Sequence, residues 1–117
     1  MNTQWIPLIS EQILEEAIQA SFEKPVILFK HSTTCGISQA AYYELDKNFE
    51  KIADLVQFYY LDLLQYRPIS NKVAEVTEVI HQSPQVLLLS KGKVVYSVTH
   101  YAINTDKIDQ AIHDLTA

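Results

Sequence analysis

The sequence predicts an α/β fold, a four-stranded mixed sheet flanked by helices on both faces, in one domain spanning residues 1–117. Three observations carry that expectation. Short apolar runs of strand length alternate with stretches whose apolar residues recur at helical spacing. The last two strand-like runs are separated only by Lys91-Gly92, a hairpin connection. Hydrophobic residues make up 48% and charged residues 20%, with two glycines and four prolines, so the chain can order itself around a buried core.

Ser10 ahead of Glu11 and Gln12, then Ile13, Leu14, Ala17 and Ile18, reads as a capped amphipathic helix ending near Phe22. Pro25 opens Val26 to Phe29, a continuous apolar run that suits a central strand covered on both faces. After Lys30 and His31 comes the polar stretch Ser32, Thr33, Thr34. From about Cys35 a second helix places Ile37, Ala41 and Leu45 on one face. Val56 to Leu63, rich in aromatic and branched residues, is the second strand. Pro68 starts a third helix, with Ile69, Val73, Val76 and Ile80 at steps of four, three and four. Gln85–Ser90 and Lys93–Thr99 form the hairpin, and Asn104 caps a last helix carrying Ile108, Ala111, Ile112 and Leu115. Helix, strand, helix, strand, helix, strand, strand, helix, with the usual right-handed crossover, is the thioredoxin arrangement.

The formal charge of −5 argues against nucleic acid as a partner, because phosphate binding needs clustered Lys and Arg. Met1 to Ser10 has no basic residue, and no apolar run reaches membrane-spanning length, so neither a signal peptide nor a membrane partner is expected. The single cysteine cannot form an internal disulfide, which points to a reducing compartment and a cytoplasmic location.

Cys35 is the candidate catalytic residue. A lone cysteine is often a small buried hydrophobe. This one follows three hydroxyl residues, precedes Gly36 and falls at a strand-to-helix junction, where unpaired helix N–H groups favour a thiolate, the form that attacks disulfide sulfur. The position one turn on, where a two-cysteine oxidoreductase keeps its resolving cysteine, is Ser38. The intermediate must therefore be cleared by an outside low-molecular-weight thiol. Ser38 is either a hydrogen-bond donor to the thiolate or a polar first-turn residue without a catalytic role. Pro84, at the entry to the third predicted strand, is where this fold uses a cis peptide bond and pairs neighbouring backbone with an extended substrate. Thr34 and Gly36 beside the cysteine, with Ser83 and Pro84, form the expected substrate-binding set. His31, when protonated, would support the thiolate; a polar strand-end histidine is the commoner explanation. His31, His81, His100 and Cys35 lack the close paired spacing of a zinc site, so no metal is expected. The tyrosines read as structural.

Lys30-His31-Ser32-Thr33-Thr34-Cys35-Gly36-Ile37-Ser38, followed by His81-Gln82-Ser83-Pro84-Gln85, resembles the YtxJ-like monothiol bacilliredoxins of low-GC Gram-positive bacteria. The Lys91-Gly92 turn, His100 and the Ile103-Asn104 helix entry extend the resemblance over nearly the whole chain. It implies a protein that removes bacillithiol from S-thiolated client proteins, with Cys35 taking up the bacillithiol. Bacillithiol is then a co-substrate, and no resident cofactor is implied. Gly36 departs from the pattern, which usually has proline there; glycine makes the first helical turn less pre-set. The same change makes Cys35-Gly36-Ile37-Ser38 resemble the Cys-Gly-Phe-Ser signature of monothiol glutaredoxins, which hold iron–sulfur clusters with glutathione. That reading ranks second, because the Gly-Gly segment of glutaredoxins is missing and a one-cysteine cluster carrier must borrow ligands. A redox-inactive stress or interaction protein on the same fold is the third reading.

Overall fold

The computed structural model describes residues 2–116. In chain order the elements are β1 (Ile6–Pro7), α1 (Glu11–Ala20), β2 (Val26–His31), α2 (Gly36–Asn48), β3 (Gln57–Asp62), α3 (Arg67–Thr77), β4 (Gln85–Ser90), β5 (Lys93–Thr99) and α4 (Thr105–Asp114), with short 3₁₀ turns at Phe49–Lys51 and His100–Ala102. The sheet order is β1-β3-β2-β4-β5. β1, β3 and β2 run parallel, and β4 is antiparallel to β2 and to β5.

The sheet therefore has five strands and not four. The extra strand, β1, is two exposed residues long and contains Pro7, so it shows no alternation a sequence pattern could register. Trp5 and Leu8 account for it. Both are buried, Trp5 stacking on Phe58 with ring centroids 4.5 Å apart, and the Leu8 N–H donates to the Tyr60 carbonyl at 2.8 Å. Burying these two side chains draws the backbone between them against β3. Pro7 lacks an N–H, which an edge strand tolerates.

Two apolar clusters lie on opposite faces of the sheet. Ile27 and Phe29 of β2 join the cluster under α2 and α4, and Val26 and Leu28 join the one under α1 and α3. This period-2 alternation is that of a central strand buried on both faces. It also fixes the destinations of the next two residues. β2 continues past Phe29, so Lys30 belongs to the face of Val26 and Leu28 and His31 to the face of Ile27 and Phe29.

Capping follows chemistry. The Ser10 side chain accepts the Ile13 N–H and the Asn104 side chain accepts the Lys107 N–H. α1 ends at Ala20, two residues short of Phe22, with the Ser21 hydroxyl bonded to the Ile18 carbonyl. α3 stops at Thr77 because Glu78 is in the left-handed region, φ 59°. Ile80 consequently falls outside the helix and is 81% exposed, so the expected apolar stripe ends one turn early. In α2 the buried positions are Ser38, Ala41 and Leu45, with Ile37 only half-buried.

Candidate active site

Cys35 is a free, half-buried thiol at the N-cap of α2, in extended backbone conformation. Its side chain makes no capping hydrogen bond. The first-turn amides are thus left to the end of the helix where the sulfur sits, and the helix dipole adds its positive end there. The loop before it is held locally. The Cys35 N–H donates to the Ser32 carbonyl at 3.2 Å, and Gln39 Nε2 donates to the Thr33 carbonyl at 2.7 Å. Thr34 and Gly36 flank the thiol and are exposed, and a side-chain carbon at Gly36 would meet nothing within 4 Å.

Ser38 is completely buried beneath this turn. Its Oγ accepts the Ser32 N–H at 2.9 Å and lies 2.7 Å from His31 Nδ1. The hydroxyl's partners are thus Ser32 and His31, not Cys35. Ser38→Ala would leave a buried amide and a buried ring nitrogen unpaired, which should cost about 1 to 2 kcal/mol in denaturant unfolding. No change in stability would mean that the site relaxes around the loss.

His31 is 2% exposed and packs on Tyr42 and Tyr60. Burial pushes its pKa down, and the charge of Asp62 and hydrogen bonding at Ser38 oppose that shift. The neutral ring is therefore favoured at neutral pH. Here it is a buried, hydrogen-bonding imidazole under Ser38, which accords with the strand-end alternative.

The Ser83–Pro84 peptide bond is cis, and Pro84 is buried. The Pro84 carbonyl accepts the His100 N–H at 3.1 Å, which ties this turn to the end of β5. Ser83 Oγ is buried with no partner. Among the described residues, His31, His81 and His100 are not gathered around the thiol as a ligand set. His31 lies on the α2 face, while His81 Nδ1 lies 3.1 Å from Lys30 Nζ on the α3 face. A groove of about 1000 Å³ between α1 and α3, lined by Glu11, Glu15, Ile18, Lys72 and Val76 among others, contains none of these residues, so concavity does not locate the chemistry.

Sequence reasoning missed Lys30. It is fully buried, and burial lowers its pKa to about 8. The signal was there: Val26, Leu28 and Lys30 share a period-2 register, but ending the strand at Phe29 placed the lysine in a loop.

Comparison with known proteins bears on the family and the fold. Residues 6–108 match the family model of the monothiol bacilliredoxin BrxC. A thioredoxin-fold protein proposed to be an oxidoreductase superposes with a TM-score of 0.80 at 34% identity, covering 92% of this chain and 93% of its own. Thioredoxins from Fasciola hepatica (TM-score 0.73, 17% identity, 93% and 97% covered) and Trypanosoma brucei brucei (0.71, 20%, 99% and 94%) share the fold.

Proposed function

The chain belongs to the monothiol bacilliredoxin family, and from that membership and the geometry at Cys35 we propose that it is a thiol–disulfide oxidoreductase removing bacillithiol from S-thiolated client proteins. The observation that carries the reading is Cys35 itself, a partly accessible thiol at a helix N-cap whose would-be resolving position holds a buried serine. The family match and the 34%-identical thioredoxin-fold protein support the redox class, and bacillithiol as the small thiol is the finer proposal.

The Cys35 thiolate attacks the bacillithiol sulfur of the mixed disulfide. The client sulfur leaves with the electron pair of the broken S–S bond and takes up a proton, restoring the client thiol. Cys35 now carries the bacillithiol as a new disulfide. A second bacillithiol thiolate attacks the carried bacillithiol's sulfur, releasing bacillithiol disulfide and the Cys35 thiolate. Ser83, held in the turn before Pro84, presents its backbone to the extended client segment, and Thr34 and Gly36 border the sulfur.

His31 and Ser38 hold the turn beneath the sulfur: the serine hydroxyl accepts the Ser32 N–H and pairs with His31 Nδ1. The working compartment is a reducing cytoplasm, where small thiols are abundant.

Intact-mass analysis tests the proposal. Incubation with a bacillithiolated model protein should add one bacillithiol to the chain, and free bacillithiol should remove it. Preferential uptake from a glutathionylated substrate would reassign the co-substrate. No adduct from either would leave the redox-inactive reading.

A further inference from the structure

We propose that Lys30 is a positioning residue for thiol exchange: from inside the sheet it binds His81 and so holds the segment His81–Pro84 in place relative to Cys35. The inference rests on reading Cys35 and Pro84 as the exchange site.

The Lys30 ammonium is an unusual object in this core. It is fully buried, and among the described residues it forms no ion pair with a carboxylate. Such a charge is tolerated only if hydrogen bonds replace its lost water. Lys30 Nζ donates to the Ser70 carbonyl of α3 at 3.3 Å and to His81 Nδ1 at 3.1 Å. Ser70 Oγ also lies 3.3 Å from the same ring nitrogen. One amine thus joins the strand that leads to Cys35, the helix beside it, and a residue 51 positions away.

His81 needs this support, because residues 78–84 between α3 and β4 form no helix or strand. A second tie sits next to the first. Gln85 lies directly across the antiparallel ladder from Lys30, and its Nε2 donates to the Ile80 carbonyl at 3.1 Å. Adjacent residues of the loop are therefore anchored by adjacent side chains of the sheet, immediately before the cis Ser83–Pro84 turn.

The tie requires His81 to be neutral, with its proton on Nε2 and Nδ1 free to accept. Burial lowers its pKa, helped by the charges of Lys30 from β2 and Arg67 from α3. Ser70 and Gln85 complete the polar groups facing this point from α3 and β4. The lysine therefore both binds the imidazole and keeps it in the form that can be bound.

Lys30→Met removes the donor at similar volume, and His81→Phe removes the acceptor while keeping a ring. Each folded variant should show a KM for a bacillithiolated protein raised about five- to tenfold, as expected for loss of one charge-assisted hydrogen bond. The double variant should show no further rise, since both changes cut the same tie. Alkylation of Cys35 by iodoacetamide, which needs no loop, should stay within about twofold of wild type. By NMR the His81 ring should titrate at higher pH in Lys30→Met. An unchanged KM in folded single variants, or effects that multiply in the double, overturns the proposal, and His81→Phe keeps it testable should Lys30→Met fail to fold. Wild-type protein inactive on the mixed disulfide, with the NMR shift still present, would fail the exchange reading while supporting the tie.

Discussion

Cys35→Ser is expected to abolish thiol transfer while leaving the protein as stable as before, or slightly more so. The activity loss follows from the absence of any other cysteine: no second thiol can accept the bacillithiol, and a serine hydroxyl does not form the disulfide that carries it. The stability half is specific to this geometry. Cys35 is the N-cap of α2 and makes no side-chain capping bond, whereas serine is among the preferred N-cap residues and its oxygen can accept a first-turn amide. A gain of about 0.5 to 1 kcal/mol is expected in urea unfolding. Intact mass should show adduct on wild type alone. A serine variant that still clears the mixed disulfide at the wild-type rate would remove Cys35 from the mechanism. A variant that loses activity together with several kcal/mol of stability would mean that the thiol is a packing residue.

Much of this site could be read from the chain because its signals are local. The junction of an apolar run, three hydroxyl residues and a helical pattern places Cys35 at a helix start without any tertiary information. The hairpin Gln85–Ser90 and Lys93–Thr99 and the Asn104 cap are local for the same reason and occur where expected. β1 was not legible, because its formation depends on Trp5 and Leu8 finding opposite faces of a sheet that only the tertiary structure assembles. Ile80 was misplaced because its spacing fits a helix that the left-handed Glu78 has already ended. The polar partners were the least legible. Ser38 with His31, and Lys30 with His81, are side-chain pairs joining separate elements, and a sequence shows which residues can hydrogen-bond but not which of them meet.

Stability should pass through a maximum near pH 10, and the rising limb below it should depend on Lys30. Burial lowers the Lys30 pKa from 10.5 to about 8. Below pH 8 both folded and unfolded chains carry the ammonium, and the folded state bears the full cost of burying it. Between about 8 and 10.5 the unfolded chain still holds the proton that the folded chain has released, so stability rises with pH. At about 1.4 kcal/mol for each pH unit separating the two states, the rise amounts to about 3 kcal/mol. Tyr60 acts in the opposite direction. Burial, followed by the charges of Asp62 and Tyr42, pushes it up to about 12, so above its ordinary value the unfolded chain ionises first and stability falls. On the acid side the lowered pKa values of His31 and His81 have the unfolded chain binding protons first, and stability falls as pH drops below the ordinary histidine value. Urea unfolding from pH 6 to 11 would trace this dome, and the same series on Lys30→Met should lose the limb between 8 and 10. At neutral pH that variant should be no less stable than wild type, because a well-packed apolar side chain replaces an ammonium whose burial is costly. What Lys30 contributes is then the position of His81 and not net stability. A wild-type curve flat from pH 8 to 10, or an equal rise in Lys30→Met, would show that the amine is not the group titrating there.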